Sequence, residues 1–234
     1  MRILIIDNTL DRESWGAEDL RRLARQPSTT AGASVIVRRA PHSDLPPSPR
    51  GFDRIILSGS RISALDEAPW ISALHQFVRS ALNESVPLLG VCFGHQTLAT
   101  VLASGERPVN ACQRSQTPEF GWTEIERTER APLLEGLSDT FYSFSAHFEE
   151  VQAPPPGTRV LARSRACAIQ AFQLAERPIY GIQFHPERDI AGARRSFQER
   201  KKEKSPKTLL HPERSAELYD PKVGETIFGN FLKG

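Results

Sequence analysis

The sequence is short of cysteine, of net charge and of long apolar runs, and each shortage removes a class of protein. Three cysteines, Cys92, Cys112 and Cys167, are an odd number at wide spacing, with no Cys-x-x-Cys and no Cys/His zinc pattern. A disulfide framework or zinc module is therefore not expected, and no metal or cofactor is called for. The formal net charge is +2 over 234 residues. So small a balance gives no electrostatic reason to expect nucleic acid or an anionic membrane as partner. The early apolar run Ile3 to Ile6 is stopped by Asp7, far short of a membrane span or a signal-peptide core. With no processing signal visible, the expected compartment is the cytoplasm. What remains, 39% hydrophobic and 25% charged residues, suits a soluble globular chain long enough for one large domain with a real core.

Short apolar runs punctuate the first half. Arg2 to Asp7, Ser34 to Arg38, Arg54 to Ser58 and Pro87 to Val91 read as strands, three of them buried on both faces. Between the first two, Trp15, Leu20, Leu23 and Ala24 have helical spacing. Residues 41–50 hold four prolines and read as a loop. Residues 69–82 read as an amphipathic helix, with Pro69 near its start and Ile71, Leu74, Phe77, Val78 and Leu82 on one face. Strands alternating with helices imply an α/β protein with a mostly parallel central sheet. In the second half, Trp122 to Glu126, Arg159 to Arg163, Ala168 to Leu174 and Ile179 to Phe184 are strand-like with short turns between them, so a smaller antiparallel portion is expected. No domain boundary is evident, and residues 1–234 read as one domain. The stretch from Arg194 to Lys207 is dense in charge and reads as a solvated helix or mobile insertion, part of a charged insertion over 188–223.

Gly90-Val91-Cys92-Phe93-Gly94 has the pattern glycine, any residue, nucleophile, any residue, glycine, between a buried strand and a helix. That is the setting of a nucleophile elbow, in which a sharp turn presents a reactive side chain. A helix N-terminus favours negative charge, which predicts a lowered thiol pKa, and the Phe93 N–H can point at a developing oxyanion. Cys112, in a polar loop, and Cys167, at the start of a strand, have no such setting and read as structural. A thiol nucleophile needs a base. His42 lies in the proline-rich loop, His75 on a helix, and His95 on the helix beside the elbow, where it can point away. His185 follows the strand-like run Ile179 to Phe184, at the strand end where α/β sheets gather ligands, and Glu187 two residues on can fix its tautomer. His-Pro-Glu-Arg recurs at 211–214, but no long buried strand delivers it, and His211 reads as a chance duplicate.

The residues 90–96 together with Gly181 to Glu187 closely resemble the two signature motifs of the class I, triad-type glutamine amidotransferases. Ile6-Asp7-Asn8 resembles the family's first strand and Glu119 to Ile125 its mid-chain strand. Ser145 to Val151 resembles a stretch of the glutaminase part of GMP synthases. The resemblance implies a flavodoxin-like three-layer sandwich. It implies that Cys92 attacks the glutamine side-chain amide, His185 shuttles protons and Glu187 orients it. Gly59 and Phe93 would form the oxyanion hole, and Gln96, Ser145 and His147 would bind substrate. The family's Ser-Gly-Gly-Pro loop is here Ser58-Gly59-Ser60-Arg61, and Ser145-Ala146-His147 carries one residue more than the family's Ser-His. The expected reaction is hydrolysis of glutamine to glutamate and ammonia through a γ-glutamyl thioester. No synthetase segment follows, so ammonia is expected to pass to a separate synthase subunit. Two alternatives stay open: a γ-glutamyl hydrolase or peptidase on the same fold, and a catalytically silent regulatory subunit.

Overall fold

A computed structural model describes residues 1–11, 17–25, 32–104, 109–202 and 208–234. Trp15 and residues 203–207, both named above, lie outside the described residues. Among those described, nine strands form one sheet in the order β2-β1-β3-β4-β9-β8-β7-β5-β6.

The first half follows from its apolar runs. Strands β1 (Arg2–Asp7), β2 (Ser34–Arg39), β3 (Arg54–Leu57) and β4 (Leu88–Val91) pair in parallel. Side chains alternate between faces, so both faces of these central strands must be apolar. Ile3, Ile5, Ile56, Leu89 and Val91 pack on one side against helices α1 (Ala17–Ala24) and α6 (Pro221–Lys233). Leu4, Ile6, Ile55, Leu57 and Leu88 pack on the other against α2 (Pro69–Asn83) and α3 (Phe93–Ala103). Each fully buried Leu or Ile contributes at most about 1.5–3 kcal/mol of transfer free energy. The predicted helix over 69–82 is α2: Pro69 occupies its first turn and Ile71, Leu74, Phe77 and Val78 are buried, with Leu82 half-buried.

The second half is more antiparallel than its sequence suggests. Strand β9 (Ile179–Ile182) joins the parallel set beside β4. From it, β8 (Ala171–Leu174), β7 (Thr158–Arg163), β5 (Cys112–Arg127) and β6 (Thr140–Val151) continue in antiparallel order. Four of the eight strand pairings are antiparallel, so that portion is not the smaller one. The expected strand over 122–126 is the end of the 16-residue β5, hidden because the register slips between Arg114 and Glu119 and breaks the alternation. The expected strand at 168 begins at Ala171. Cys112 is not in a loop: it opens β5 and is buried.

After β9, helix α4 (Ile190–Lys201) starts on Asp189, whose Oδ1 accepts from the Gly192 N–H at 2.7 Å. The helix expected over the charged stretch is real, but it is amphipathic rather than solvated all round. Ala193 and Phe197 pack with Trp122 of β5, Phe144 of β6 and Leu218 of α5 (Ser215–Leu218). Among the described residues no helix is long and apolar enough to cross a membrane.

Candidate active site

The parallel strands end on one edge, and their C-terminal ends deliver the site. Beyond β3 runs the loop Ser58 to Arg61; beyond β4 stands Cys92; beyond β9 come Gln183, His185 and Glu187. At Cys92 the chain reverses into α3 with φ +51° and ψ −106°, a conformation most side chains avoid. The two elbow glycines are required by close approach. A Cβ on Gly90 would stand 2.4 Å from the Gly94 carbonyl oxygen, and one on Gly94 2.5 Å from that of Leu57. The Cys92 N–H is held by the Ile182 carbonyl at 2.8 Å, so the elbow is braced by β9.

His185 is buried, and its N–H donates to the Phe144 carbonyl at 2.7 Å, which fixes it against β6. Its Nδ1 meets Glu187 Oε1 at 2.7 Å. An ionised carboxylate accepts there, which sets Nδ1 as the protonated nitrogen and leaves Nε2 as the basic one. Gly59 lies between this pair and the thiol. A Cβ there would come 2.9 Å from His185 Cε1 and 3.5 Å from Cys92 Cβ. Cys92, His185 and Gly59 thus share one wall of a cavity of about 230 Å3. That is smaller than the roughly 300–1,000 Å3 usual for drug-sized ligands and suits an amino acid side chain.

The thiol's acidity is opposite to expectation. Burial, and then the Glu187 carboxylate, push Cys92 up to about 12, against the opposing pull of the Phe93 N–H. The helix N-terminus does not offset desolvation in a site this dry. Burial also pushes Cys112 and Cys167 up to about 12, so acidity does not single out the nucleophile. What singles it out is the neighbour: a basic imidazole whose own pKa burial holds below its usual value, with Glu187 pulling the other way. The resting pair is a neutral thiol beside a neutral imidazole.

The other sequence candidates divide. Gln96, Ala146 and His147 line the cavity; Ser145, fully buried on β6, does not. His95 does point away: it packs on Phe172 at 4.9 Å, and burial lowers it to about 3. His42 meets the Leu10 carbonyl at 3.0 Å and His75 lies half-buried on α2. Ser60, where the family has glycine, donates its hydroxyl to the Asn8 carbonyl at 2.7 Å and accepts the Ile62 N–H at 3.2 Å. Asn8 in turn donates its N–H to Ser58 Oγ at 2.9 Å and its side-chain amide to the Ser58 carbonyl at 2.8 Å. The substituted loop is therefore tied to the end of β1. Arg61 reaches across to Glu199 of α4. Arg200 of α4 lies on the cavity wall with its guanidinium over Phe148 at 4.5 Å and Phe120 at 5.3 Å.

Three buried polar residues had no role assigned from sequence. Glu119 accepts from Gln170 at 2.6 Å and meets His147 Nε2 at 3.0 Å. Gln183 sits between Gln96 and the sulfur. Its signal was present as a polar side chain inside the otherwise apolar run Ile179 to Phe184. Among the described residues no three His, Cys, Asp or Glu side chains are grouped to hold a metal ion.

The family model for class I glutamine amidotransferases matches residues 20–201. The chain is 35% identical over 157 residues to the glutamine-hydrolyzing subunit of the GMP synthase of Saccharolobus solfataricus, covering 67% of this chain and 77% of that one. It is also 35% identical over 136 residues to the glutamine-hydrolyzing GMP synthase subunit of Sulfolobus acidocaldarius, covering 58% and 68%. In fold it is similar to a glutamine amidotransferase from Thermotoga maritima, with TM-score 0.76, 21% identity and 100% and 99% of the two chains covered. A glutamine amido transferase from Methylobacillus flagellatus gives TM-score 0.77 at 24% identity, over 99% and 94%. With the elbow, the imidazole and the carboxylate converging on one cavity, and a family model matched over more than half its length, the chain belongs to the class I glutamine amidotransferases.

Proposed function

We propose that this enzyme hydrolyses the side-chain amide of glutamine with Cys92 as nucleophile, and that it serves as the glutaminase subunit of a GMP synthase, handing ammonia to a separate synthetase subunit. The observation that carries the chemistry is the strained Cys92 turn beside an imidazole bonded to Glu187, with Gly59 in contact with both. The partner and pathway come from the relatives' names alone.

His185 Nε2 takes the thiol proton as the sulfur attacks the γ-carbonyl, and Glu187 stabilises the imidazolium that forms. The carbonyl oxygen becomes an oxyanion held by the N–H groups of Gly59 and Phe93. His185 then protonates the departing nitrogen, which leaves as ammonia, and a γ-glutamyl thioester remains. Water, deprotonated by His185, attacks the thioester, and glutamate and the thiol are released. Gln96 and the strand from Ser145 to His147 hold the amino-acid end. A neutral resting pair suits this sequence, because the proton moves only as the bond forms.

The whole of 1–234, with helices on both faces of its parallel half, supports one domain of the flavodoxin-like three-layer type. The tied-down Ser60 argues against a silent subunit that waits for a partner to order this loop. Glutamate release by wild type and Cys92→Ala, with and without candidate synthetase subunits, tests the reading. Turnover is expected to fall by at least about 1,000-fold in the variant. Equal turnover would remove Cys92 from the mechanism. Faster cleavage of γ-glutamyl peptides than of glutamine would make the enzyme a γ-glutamyl hydrolase instead.

A further inference from the structure

A backbone carbonyl fixes the orientation of every amide between β6 and the sulfur. The Glu149 carbonyl can only accept. It receives Gln96 Nε2 at 2.8 Å, so the Gln96 side chain must present its NH2 group there. The same Nε2 reaches Gln183 Oε1 at 3.2 Å. The oxygen of Gln183 is therefore the atom turned toward Gln96, and its NH2 group is turned the other way, toward Cys92. Gln183 is fully buried. Among the described residues, its Nε2 meets no acceptor other than the sulfur it faces. A buried N–H without a full-strength acceptor is costly, and a neutral thiol is a weak one. The donor is fully matched only when the sulfur carries negative charge.

The chain of contacts extends behind Gln96. The Glu149 carbonyl also accepts from His147 Nδ1 at 3.2 Å, so that nitrogen bears a proton. His147 Nε2 is anchored by Glu119, and Glu119 by Gln170. Strands β5, β6 and β8 thus hold the carbonyl that sets the direction of both glutamines.

We propose that Gln183 is a further catalytic residue, donating its amide N–H to the Cys92 sulfur as charge develops there, and that Gln96 and the Glu119–His147 pair are positioning residues that keep this donor aimed. This rests on the reading of Cys92 as the nucleophile. The donor acts twice. It stabilises the sulfur while its proton passes to His185 and the S–C bond forms. It acts again when the second tetrahedral intermediate collapses, the S–C bond breaks and the thiolate departs from glutamate.

Gln183→Glu is the discriminating variant, because it preserves shape and the acceptor for Gln96 while replacing the donor with an oxygen. Gln183→Met removes the donor without adding charge and serves if the first variant fails to fold. The readouts are kcat and KM for glutamine, the rate constant for labelling Cys92 by a glutamine-like chloroketone, and Tm. In a variant whose Tm shows it folded, kcat and labelling should both fall about 10- to 100-fold, the loss of one hydrogen bond to a charged atom, with KM within about threefold. The inference is overturned if the folded variant keeps kcat and labelling within about twofold, or if the loss lies in KM alone. Cys92→Ala, run in parallel, separates the two claims. If it retains turnover the nucleophile is wrong; if it is inactive while Gln183→Glu is unaffected, only the role of Gln183 fails.

Discussion

The tetrapeptide His-Pro-Glu-Arg occurs twice, and the two copies have opposite fates. His185-Pro186-Glu187-Arg188 follows β9 into the interior, and its histidine, glutamate and arginine are each no more than 2% exposed. His211-Pro212-Glu213-Arg214 begins with an exposed histidine in the left-handed region, φ +52°, and continues as one turn of 3-10 helix. Both are tethered to the β5–β6 hairpin. His185 donates to Phe144; Leu210, just before the second copy, donates to Phe120 and accepts from Trp122. The tether at Leu210 needs Gly121, where φ is +133° and a Cβ would stand 2.2 Å from the Leu210 oxygen. The difference therefore lies in what delivers the tetrapeptide. A buried strand carries the first copy to the edge where Cys92 waits, and the Glu187 carboxylate can bond only the imidazole beside it. In the second copy the arginine instead pairs with Glu217 on the surface.

The sharpest way to break this comparison is to truncate each histidine. His185→Ala should lower kcat by about 1,000-fold or more, since it removes the base. His211→Ala should leave kcat and KM within about twofold, because nothing reactive faces it. Comparable losses in steady-state assays would mean that the decoy is not one.

The arginines give the next largest contrast. Arg188 is buried, 3.5 Å from Asp19 of α1, and burial lowers its pKa to about 9. It fits only because residue 192 is glycine, where a Cβ would stand 2.6 Å from its Cδ. Arg188→Ala should cost about 2–4 kcal/mol in urea unfolding, somewhat below a fully buried pair because Asp19 is partly solvated. Arg214→Ala should leave the urea midpoint unchanged.

The smallest effect concerns Glu187. Burial holds His185 below its usual pKa, while the Glu187 charge and hydrogen bond raise it. The acid limb of kcat/KM should therefore lie below pH 6.5, where protonation removes the base. Glu187→Gln deletes the raising influence, so the limb should move to still lower pH while the plateau falls. A limb that moves up in the pH–rate profile would contradict the assigned contact.

Much of the parallel half was legible. The runs Ile3 to Ile6, Ile55 to Leu57 and Leu88 to Val91 are apolar at every position because both faces are covered by helices. The elbow glycines and the helix from Pro69 are equally local signals. The antiparallel half was less legible, because its strands are defined by partners far along the chain and by a slip in register. Glu119, Gln170 and Gln183 looked like scattered polar residues until pairing brought them beside His147, Gln96 and Cys92.

By itself the sequence determined the strand–turn–helix that strains Cys92, since glycines at 90 and 94 act on their immediate surroundings. It also marked the strand that ends at His185. Only the tertiary structure decided which His-Pro-Glu-Arg was delivered to the thiol, which way the amides of Gln96 and Gln183 face, and that burial leaves Cys92 protonated at rest. Those outcomes depend on desolvation and on hydrogen bonds between distant strands, and neither is written in the spacing of neighbouring residues.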